Sequence, residues 1–240
     1  MNRVYIFYFL LFFITGSGCQ PSSAVTSDDS LDILSEEHKS DWSGSPDHWR
    51  WENGMLIGET TEENPVEHSS FLIWNREVQD FILKISFRIS PQGNSGIYYR
   101  SGIGPEGYDK LLGYQADIDG RDEYTGIVYE NFLDRHHKIL ARRGQFVRIS
   151  ETDSVQAFPI STLDPSNKDL IHQGSWNEYE LIVKGNLIIQ KLNGNLISMV
   201  EDQFPNRLQK GKFGFQLHQG PPMKVEFRDA KFIEVESSKD

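Results

Sequence analysis

The sequence is poor in cysteine: Cys19 is the single thiol among 240 residues. No internal disulfide can form, so a folded domain has to be held together by its packed core. The sequence also lacks an apolar run of the roughly 20 residues that a bilayer-spanning helix needs. The apolar run from Val4 to Ile14 is too short for that purpose.

The sequence has fewer basic than acidic residues. It contains 24 lysines and arginines and 35 aspartates and glutamates, which gives a formal net charge of −11. Proteins that bind nucleic acid depend on lysine and arginine to neutralise phosphate. The acidic balance therefore argues against nucleic acid as a partner, and it also disfavours polyanionic ligands. A neutral ligand is the better match.

The amino-terminal residues are typical of an exported protein. Arg3 precedes the apolar run Val4–Ile14, and small residues beginning at Gly16 lead to Cys19. This order resembles a bacterial lipobox, although Gly16 stands where leucine is usual. We predict a lipoprotein signal peptide over residues 1–18 and an acylated Cys19 that anchors the chain to a membrane of the cell envelope, facing the periplasm or the surface. A plain secretory signal with an unmodified thiol is the alternative.

The remainder of the chain divides into a tether and one domain. Residues 19–40 are predicted to be the acylated cysteine and a flexible tether, because they are polar and acidic. Residues 41–236 are predicted to be a single all-β domain. Apolar side chains occupy every second position of Phe81–Ile89, as in a half-buried strand. Further strands are predicted at Glu180–Lys184, Leu187–Leu192, Asn195–Val200, Lys212–Leu217 and Val225–Val235. Short strands joined by Gly and Asn turns indicate a sandwich of two antiparallel sheets.

Three predicted strands also carry polar side chains at alternate positions, which places them on one face of each strand. They are Tyr98 and Arg100 on the first strand, Gln115, Asp117 and Asp119 on the second, and Gln216 and His218 on the third. Such a row is either plain solvent exposure or the lining of a binding groove.

A series of motifs in the domain resembles a known family. The motifs are Gln92–Arg100, Gly113–Asp119, Tyr124–Glu130, Gly174–Glu180, Leu192–Gly194, Gly214–His218 and Val225–Ala230. In this order and spacing they resemble the 3-keto-disaccharide hydrolase domain, formerly domain of unknown function 1080, over about residues 42–235. The resemblance implies a concanavalin A-like jelly roll in which one sheet forms a concave, sugar-binding face.

The resemblance further implies a hydrolase that acts on 3-keto-glycosides or disaccharides by C2 proton abstraction, β-elimination and hydration. Such chemistry needs a base and a group that stabilises the enolate. His218 is the first candidate for the base because its ordinary pKa lies near neutrality, and Asp117 is the second. Arg100 is the candidate that stabilises the enolate. No cofactor is certain; a divalent metal could share that role, with Asp117, Asp119 and His218 as ligands.

The remaining candidates bind substrate, and Asp119 is a candidate for this role as well. Gln115 and Gln216 offer hydrogen-bond donors and acceptors, while the rings of Tyr98, Tyr129 and Trp176 could stack on a sugar. Trp176 could instead be a core or edge aromatic. The basic segment Asn131–Ile149 could rim the groove opposite Tyr129 or could be a solvated loop. Its candidates are His136, His137 and Arg142.

Two classes of function stay open at this point. The first is an enzyme that cleaves 3-keto-glycosides. The second is a non-catalytic carbohydrate-binding lipoprotein of the cell surface, since one fold can carry either function. A structural or adhesive lipoprotein is a third, weaker possibility.

Overall fold

A computed structural model describes residues 30–105, 110–131, 135, 138–165, 167 and 170–236. Within these ranges the chain forms two β-sheets that enclose one hydrophobic core. Residues Glu36–Asp41 form a short 3-10 helix. The predicted all-β jelly-roll sandwich is therefore confirmed.

The larger sheet has ten strands. Across the sheet they are β12 (Val155–Pro159), β11 (Gln145–Ile149), β15 (Asn195–Asp202), β14 (Leu187–Leu192), β13 (Asn177–Lys184), β6 (Phe81–Ile89), β17 (Met223–Glu234), β4 (Met55–Thr60) and β3 (Trp49–Glu52), with β1 (Leu31–Asp32) paired to β17. Its strand pairs are antiparallel except for β11 and β15, which run parallel.

The smaller sheet has seven strands, all paired antiparallel. In order they are β10 (Ile139–Ala141), β9 (Val128–Glu130), β8 (Leu111–Asp119), β7 (Asn94–Ile103), β16 (Gly211–Leu217), β5 (Ser70–Val78) and β2 (Trp42–Ser43).

Alternation along the strands builds the core between the sheets. In β6, Phe81, Leu83, Ile85 and Phe87 are fully buried, and the intervening side chains lie on the outer face. Aromatic rings join the two sheets: Phe213 of the smaller sheet packs edge-on against Phe81, with ring centroids 6.1 Å apart. Each such buried ring stabilises the fold by about 1.5–3 kcal/mol.

The folded part begins earlier than the sequence indicates. Residues up to 40 are expected to be a tether, yet Leu31–Asp32 pairs with β17, and Ile33 and Leu34 are buried. The indole of Trp42 donates a hydrogen bond to the carbonyl of Ile33 at 2.9 Å. Residues 31–34 are too few for an alternating pattern to be visible in the sequence. The strand with which they pair, β17, lies at the far end of the chain.

The predicted signal peptide and Cys19 lie outside the described residues. In the ranges that the structure covers, no helix is long and apolar enough to span a membrane.

A buried ion cluster ties the two sheets together. Arg135 donates hydrogen bonds from both terminal nitrogens to Asp202 of β15, each at 2.8 Å, and one of these nitrogens also reaches Glu130 of β9 at 3.0 Å. Tyr114 of β8 donates to the same Asp202 at 2.6 Å. The cluster thus joins the larger sheet, the smaller sheet and the segment that follows β9.

Within this cluster, burial raises the pKa of Glu130 from 4.5 to about 7 and outweighs the nearby Arg135. The unfolded chain loses this proton near pH 4.5, whereas the folded chain keeps it until about pH 7. Between these values the folded state binds more protons, so this carboxyl makes the free energy of unfolding fall as the pH rises.

We therefore expect the free energy of unfolding of Glu130→Gln to fall less between about pH 5 and about pH 8 than that of the wild type. Urea unfolding at both pH values measures this slope for the variant and the wild type. Glu178→Gln, at an exposed position of β13, is the matched control and should keep the wild-type slope. An unchanged slope in Glu130→Gln would contradict the assignment.

Candidate functional site

A cavity of about 330 Å³ opens on the face of the smaller sheet that points away from the core. Its floor comes from β7, β8 and β16 and from the residue that follows β16. The floor residues are Asn94, Tyr98, Gln115, Asp117, Gln216 and His218. One wall comes from the chain between β8 and β10, with Tyr124, Ile127, Tyr129, Lys138 and Ile139.

The floor is open because Gly96, at the centre of β7, has no side chain. Gly96 is paired with Asp117 on one side and with Gln216 on the other. A Cβ atom at this position would lie 2.0 Å from the amide nitrogen of Gln115. That nitrogen crosses β7 and donates to Oε1 of Gln216 at 3.0 Å and to the carbonyl of Ser95 at 3.3 Å. The two glutamine side chains are therefore held in place before any ligand arrives.

Asp117 is the buried acid of the cavity. Only 7% of the residue is exposed, and its Oδ1 has no hydrogen-bond partner among the described residues. Burial raises the pKa of Asp117 well above its usual value, and the charge of Asp119 adds to this effect. Its carboxyl therefore keeps a proton at a higher pH than an exposed aspartate does. A buried carboxyl oxygen without a partner is costly, and such groups cluster at functional sites.

His218 lies at the end of the floor with a defined tautomer. Its backbone nitrogen donates to the carbonyl of Asn94 at 3.1 Å, which extends the pairing of β16 with β7 by one residue. Its Nδ1 lies 2.6 Å from the carbonyl oxygen of Gln219. Since a carbonyl oxygen only accepts, Nδ1 carries the proton, and in the neutral ring Nε2 has the free lone pair. This is the form that a general base requires.

Arg100 departs from the predicted arrangement. Its guanidinium is 1% exposed and donates to the carbonyls of Gln79 at 2.7 Å and Gly185 at 2.8 Å and to Asp80 at 2.7 Å. Arg100 therefore braces β7 against the larger sheet and does not line the cavity. The prediction that it shares a face with Tyr98 and stabilises an enolate is wrong.

The reason lies in the backbone of β7. Arg100 has φ +50°, in the left-handed region, and the pairing of β7 with β8 shifts register between Tyr99 and Gly102. Such a bulge reverses the side-chain alternation beyond it. Regular alternation of side chains along β7 therefore predicts the face of Tyr98 correctly and the face of Arg100 wrongly.

Trp176 also lies outside the cavity. It sits at the start of β13, where the guanidinium carbons of Arg88 and Arg228 lie 4.9 Å and 4.0 Å from the centre of its ring system. This is the outer face of the larger sheet, so the prediction that Trp176 stacks on the same ligand as Tyr129 is wrong.

Two further candidates are not part of the cavity lining. The side chain of Asp119 is fully buried, and its Oδ1 accepts a hydrogen bond from the backbone nitrogen of Arg121. Arg142 is exposed in the turn between β10 and β11, where its backbone nitrogen donates to Gln145. His136 and His137 lie outside the described residues.

The tyrosines differ in what they offer a ligand. Tyr98 is 1% exposed and packs edge-on against Phe71 at 5.3 Å, so its ring is committed to that contact. Tyr129 and Tyr124 are more exposed and present their surfaces to the cavity.

Sequence reasoning missed Lys138 and Asn94. Lys138 lies in the basic segment that was expected to be either a rim or a solvated loop, and it places a positive charge at the cavity wall. Asn94 is easily taken for a turn residue because Gly93 precedes it and Ser95–Gly96 follow it, but it begins β7 and faces the cavity.

The residues considered for a divalent metal do not form a cluster. Asp117 and His218 share the cavity, whereas Asp119 is not part of its lining. Within the ranges that the structure describes, no three His, Cys, Asp or Glu side chains are grouped as a metal site would require.

Comparison with known proteins gives one family match. The model of a family described as the 3-keto-alpha-glucoside-1,2-lyase-like domain matches residues 33–233. This confirms the family that the sequence motifs indicate. A search of curated proteins finds no match.

Solved structures share the fold. Two provisionally assigned glycosyl hydrolases from Parabacteroides distasonis align with TM-scores of 0.58 and 0.56, at 17% and 14% identity. The alignments cover 88% and 86% of this chain and 95% and 99% of theirs. The carbohydrate-binding module CBM66 of Bacillus subtilis aligns with a TM-score of 0.52 at 15% identity, over 81% of this chain and 96% of its own. At such identities the likeness shows the fold alone.

The buried carboxyl of Asp117 leads to a stability prediction. Because the pKa of Asp117 is raised, the folded state is penalised at neutral pH, where the unfolded chain ionises freely. Asp117→Asn removes this penalty, so we expect its Tm at neutral pH to rise by roughly 2–4 °C. Thermal unfolding followed by circular dichroism measures the change, with Asp47→Asn at an exposed position as the control. A Tm at or below that of the wild type would refute the argument.

Proposed function

We propose that this chain, which belongs to the family of 3-keto-alpha-glucoside-1,2-lyase-like domains, cleaves the glycosidic bond of 3-keto-glycosides. The observation that supports this most strongly is one cavity that contains both His218, with Nε2 as a base, and Asp117, with a raised pKa. A group that can accept a proton and an acid that keeps one, held in the same cavity, are what proton abstraction and leaving-group protonation require.

The proposed reaction begins at C2 of the sugar. The ketone at C3 acidifies the C2 hydrogen, and Nε2 of His218 takes that proton. The electron pair of the broken C–H bond forms an enolate on the C3 oxygen. When the enolate collapses, a C1=C2 double bond forms and the C1–O bond to the leaving group breaks. Addition of water across C1=C2 then gives net hydrolysis.

Asp117 and Lys138 complete the proposed machinery. The protonated carboxyl of Asp117 gives its proton to the departing oxygen, so that an alcohol leaves and not an alkoxide. Lys138 takes over the role that the sequence suggested for Arg100, since its positive charge at the cavity wall favours the enolate. The Gln115–Gln216 pair would bind sugar hydroxyls, with Tyr129 and Tyr124 against the ring.

This proposal predicts the behaviour of two variants. We expect His218→Ala and Asp117→Ala each to lower the rate of cleavage of a 3-keto-disaccharide by at least about 10²-fold, the lower range for general acid–base groups. Release of reducing sugar measures the rate. His38→Ala, in the 3-10 helix beside β2, is the matched control and should retain wild-type turnover.

Deuterium at C2 of the substrate adds a second measurement, because the elimination breaks this C–H bond and direct hydrolysis does not. Near-wild-type turnover in both variants would overturn the assignment of the two residues. A wild-type protein that binds the substrate without cleaving it would favour the alternative, a non-catalytic carbohydrate-binding lipoprotein.

We also propose that the chain is anchored to a membrane of the cell envelope through a lipid on Cys19. The support is the sequence alone: Arg3, the apolar run Val4–Ile14 and the small residues before the thiol. We expect the wild type, expressed in a bacterium, to incorporate labelled palmitate and to partition into detergent, and Cys19→Ala to do neither. Labelling that persists in Cys19→Ala would refute the anchor.

A further inference from the structure

The strand β12 (Val155–Pro159) is the outermost strand of the larger sheet, and β11 is its one neighbour among the described strands. All 5 of its residues are exposed, and it is longer than the other strands at the ends of the two sheets, β2, β3 and β10. Val155 is 42% exposed and Phe158 is 41% exposed, although both side chains are large and apolar. An exposed apolar strand with an open edge is a surface to which another strand can add.

The backbone of β12 points its hydrogen-bonding groups alternately toward β11 and toward the open edge, as in any antiparallel pair. Two bonds show which residues face β11. The nitrogen of Ser150 donates to the carbonyl of Ser154 at 2.9 Å, and the nitrogen of Ile160 donates to the carbonyl of Gly144 at 2.7 Å. The even-numbered residues from 154 to 160 therefore direct their backbone groups toward β11.

The odd-numbered residues of β12 direct their backbone groups toward the open edge. Val155 and Ala157 present both an N–H and a carbonyl there, and Pro159 presents a carbonyl alone. A proline is tolerated in a strand where its missing N–H would face solvent. Its place at the end of β12 agrees with this assignment of the open edge.

The open edge of β12 lacks the charges that usually protect an edge strand. The opposite end of the same sheet has them, since β3 carries Glu52 and Arg50, which binds Glu59 at 2.7 Å. No residue of β12 is charged. The acid nearest to β12 in the sequence, Asp153, is bound by Arg135 at 3.2 Å. Two copies of this acidic chain can therefore meet at β12 without opposing like charges within the strand.

We propose that β12 pairs with β12 of a second copy of this chain, antiparallel and about a two-fold axis at Ala157. In this register Ala157 lies opposite Ala157 of the second copy, and the two residues exchange N–H to carbonyl hydrogen bonds. The N–H of Val155 donates to the carbonyl of Pro159 in the second copy. The two larger sheets then form one continuous sheet, and the interface is isologous, as two-fold symmetry requires.

The side chains of β12 are complementary to a second copy of themselves. On the outer face, Phe158 already packs on Phe146 of the same chain, with ring centroids 5.8 Å apart. Phe158 of the second copy becomes its diagonal neighbour, at a separation that aromatic rings can bridge. On the other face Val155 lies against Pro159, and the small Ala157 lies against itself. The exposed apolar groups of the two copies therefore cover one another.

The small size of this interface sets the strength of the dimer. Each copy contributes a strand of 5 residues, and an interface below about 1,200 Å² is typical of weak and transient complexes. The dimer is therefore reversible, and the monomer predominates in dilute solution.

Cross-linking tests both the dimer and its register. Directly opposed residues of a hydrogen-bonded antiparallel pair have Cα atoms about 5.5 Å apart, within the range of a disulfide. We expect Ala157→Cys, in a Cys19→Ala chain that has no other thiol, to form a disulfide-linked dimer when it is oxidised with copper phenanthroline. Glu178→Cys in the same background, at an exposed position of β13, should stay monomeric. No linked dimer in Ala157→Cys, or an equal yield in Glu178→Cys, would overturn the proposal.

Sedimentation equilibrium measures the reversible dimer. The chain from residue 20 contains both sheets and their core, and its mean mass should rise from monomer toward dimer between about 1 µM and about 1 mM. Ala157→Lys places two like charges opposite each other and should raise the dissociation constant at least about 10-fold. Glu178→Lys should keep the wild-type value. A wild type that stays monomeric throughout would overturn the second copy as the occupant in favour of a strand from another protein. A dimer that Ala157→Lys leaves unchanged would overturn the assignment to β12.

Discussion

The alternation of side chains in β7, β8 and β16 is the constraint on which the site depends. Each of these strands packs one face against the core and turns the other toward the cavity. Interiors pack at nearly crystalline density, so the core face holds the strands still. Because the strands are held still, the side chains on their cavity face are also held in place. The hydrogen-bonded pair of Gln115 and Gln216 over Gly96 is one result.

The sequence predicts the fold well because strand periodicity is local. It also predicts the cavity face of β8 and β16 correctly for Gln115, Asp117, Gln216 and His218. It fails at Arg100, because the left-handed residue that reverses the alternation leaves no mark on the pattern of residue types.

Other errors come from relations between distant segments. The place of Trp176 depends on which sheet carries β13, and the start of the domain depends on pairing between β1 and β17. Lys138 reaches the cavity only because the chain between β9 and β10 returns to the same edge of the smaller sheet. Neither spacing nor residue type contains this information.

Two side chains of the cavity, Asp117 and His218, are each held in an arrangement that is unfavourable without a ligand. Asp117 is kept buried with an oxygen unpartnered by the described residues, while His218 is held by a carbonyl in the tautomer that leaves Nε2 as an acceptor. Both arrangements lower stability or freedom in the unliganded protein, as is common for groups at functional sites.

The buried cluster of Arg135 makes the cavity sensitive to a strand that does not touch it. Asp202 lies in β15 of the larger sheet, yet it binds Arg135, which lies three residues before Lys138 of the cavity wall. Both sheets therefore contribute to the structure of the cavity. A sequence change at the end of β15 would reach the cavity wall through Arg135, so selection on the cavity would act on both layers of the sandwich.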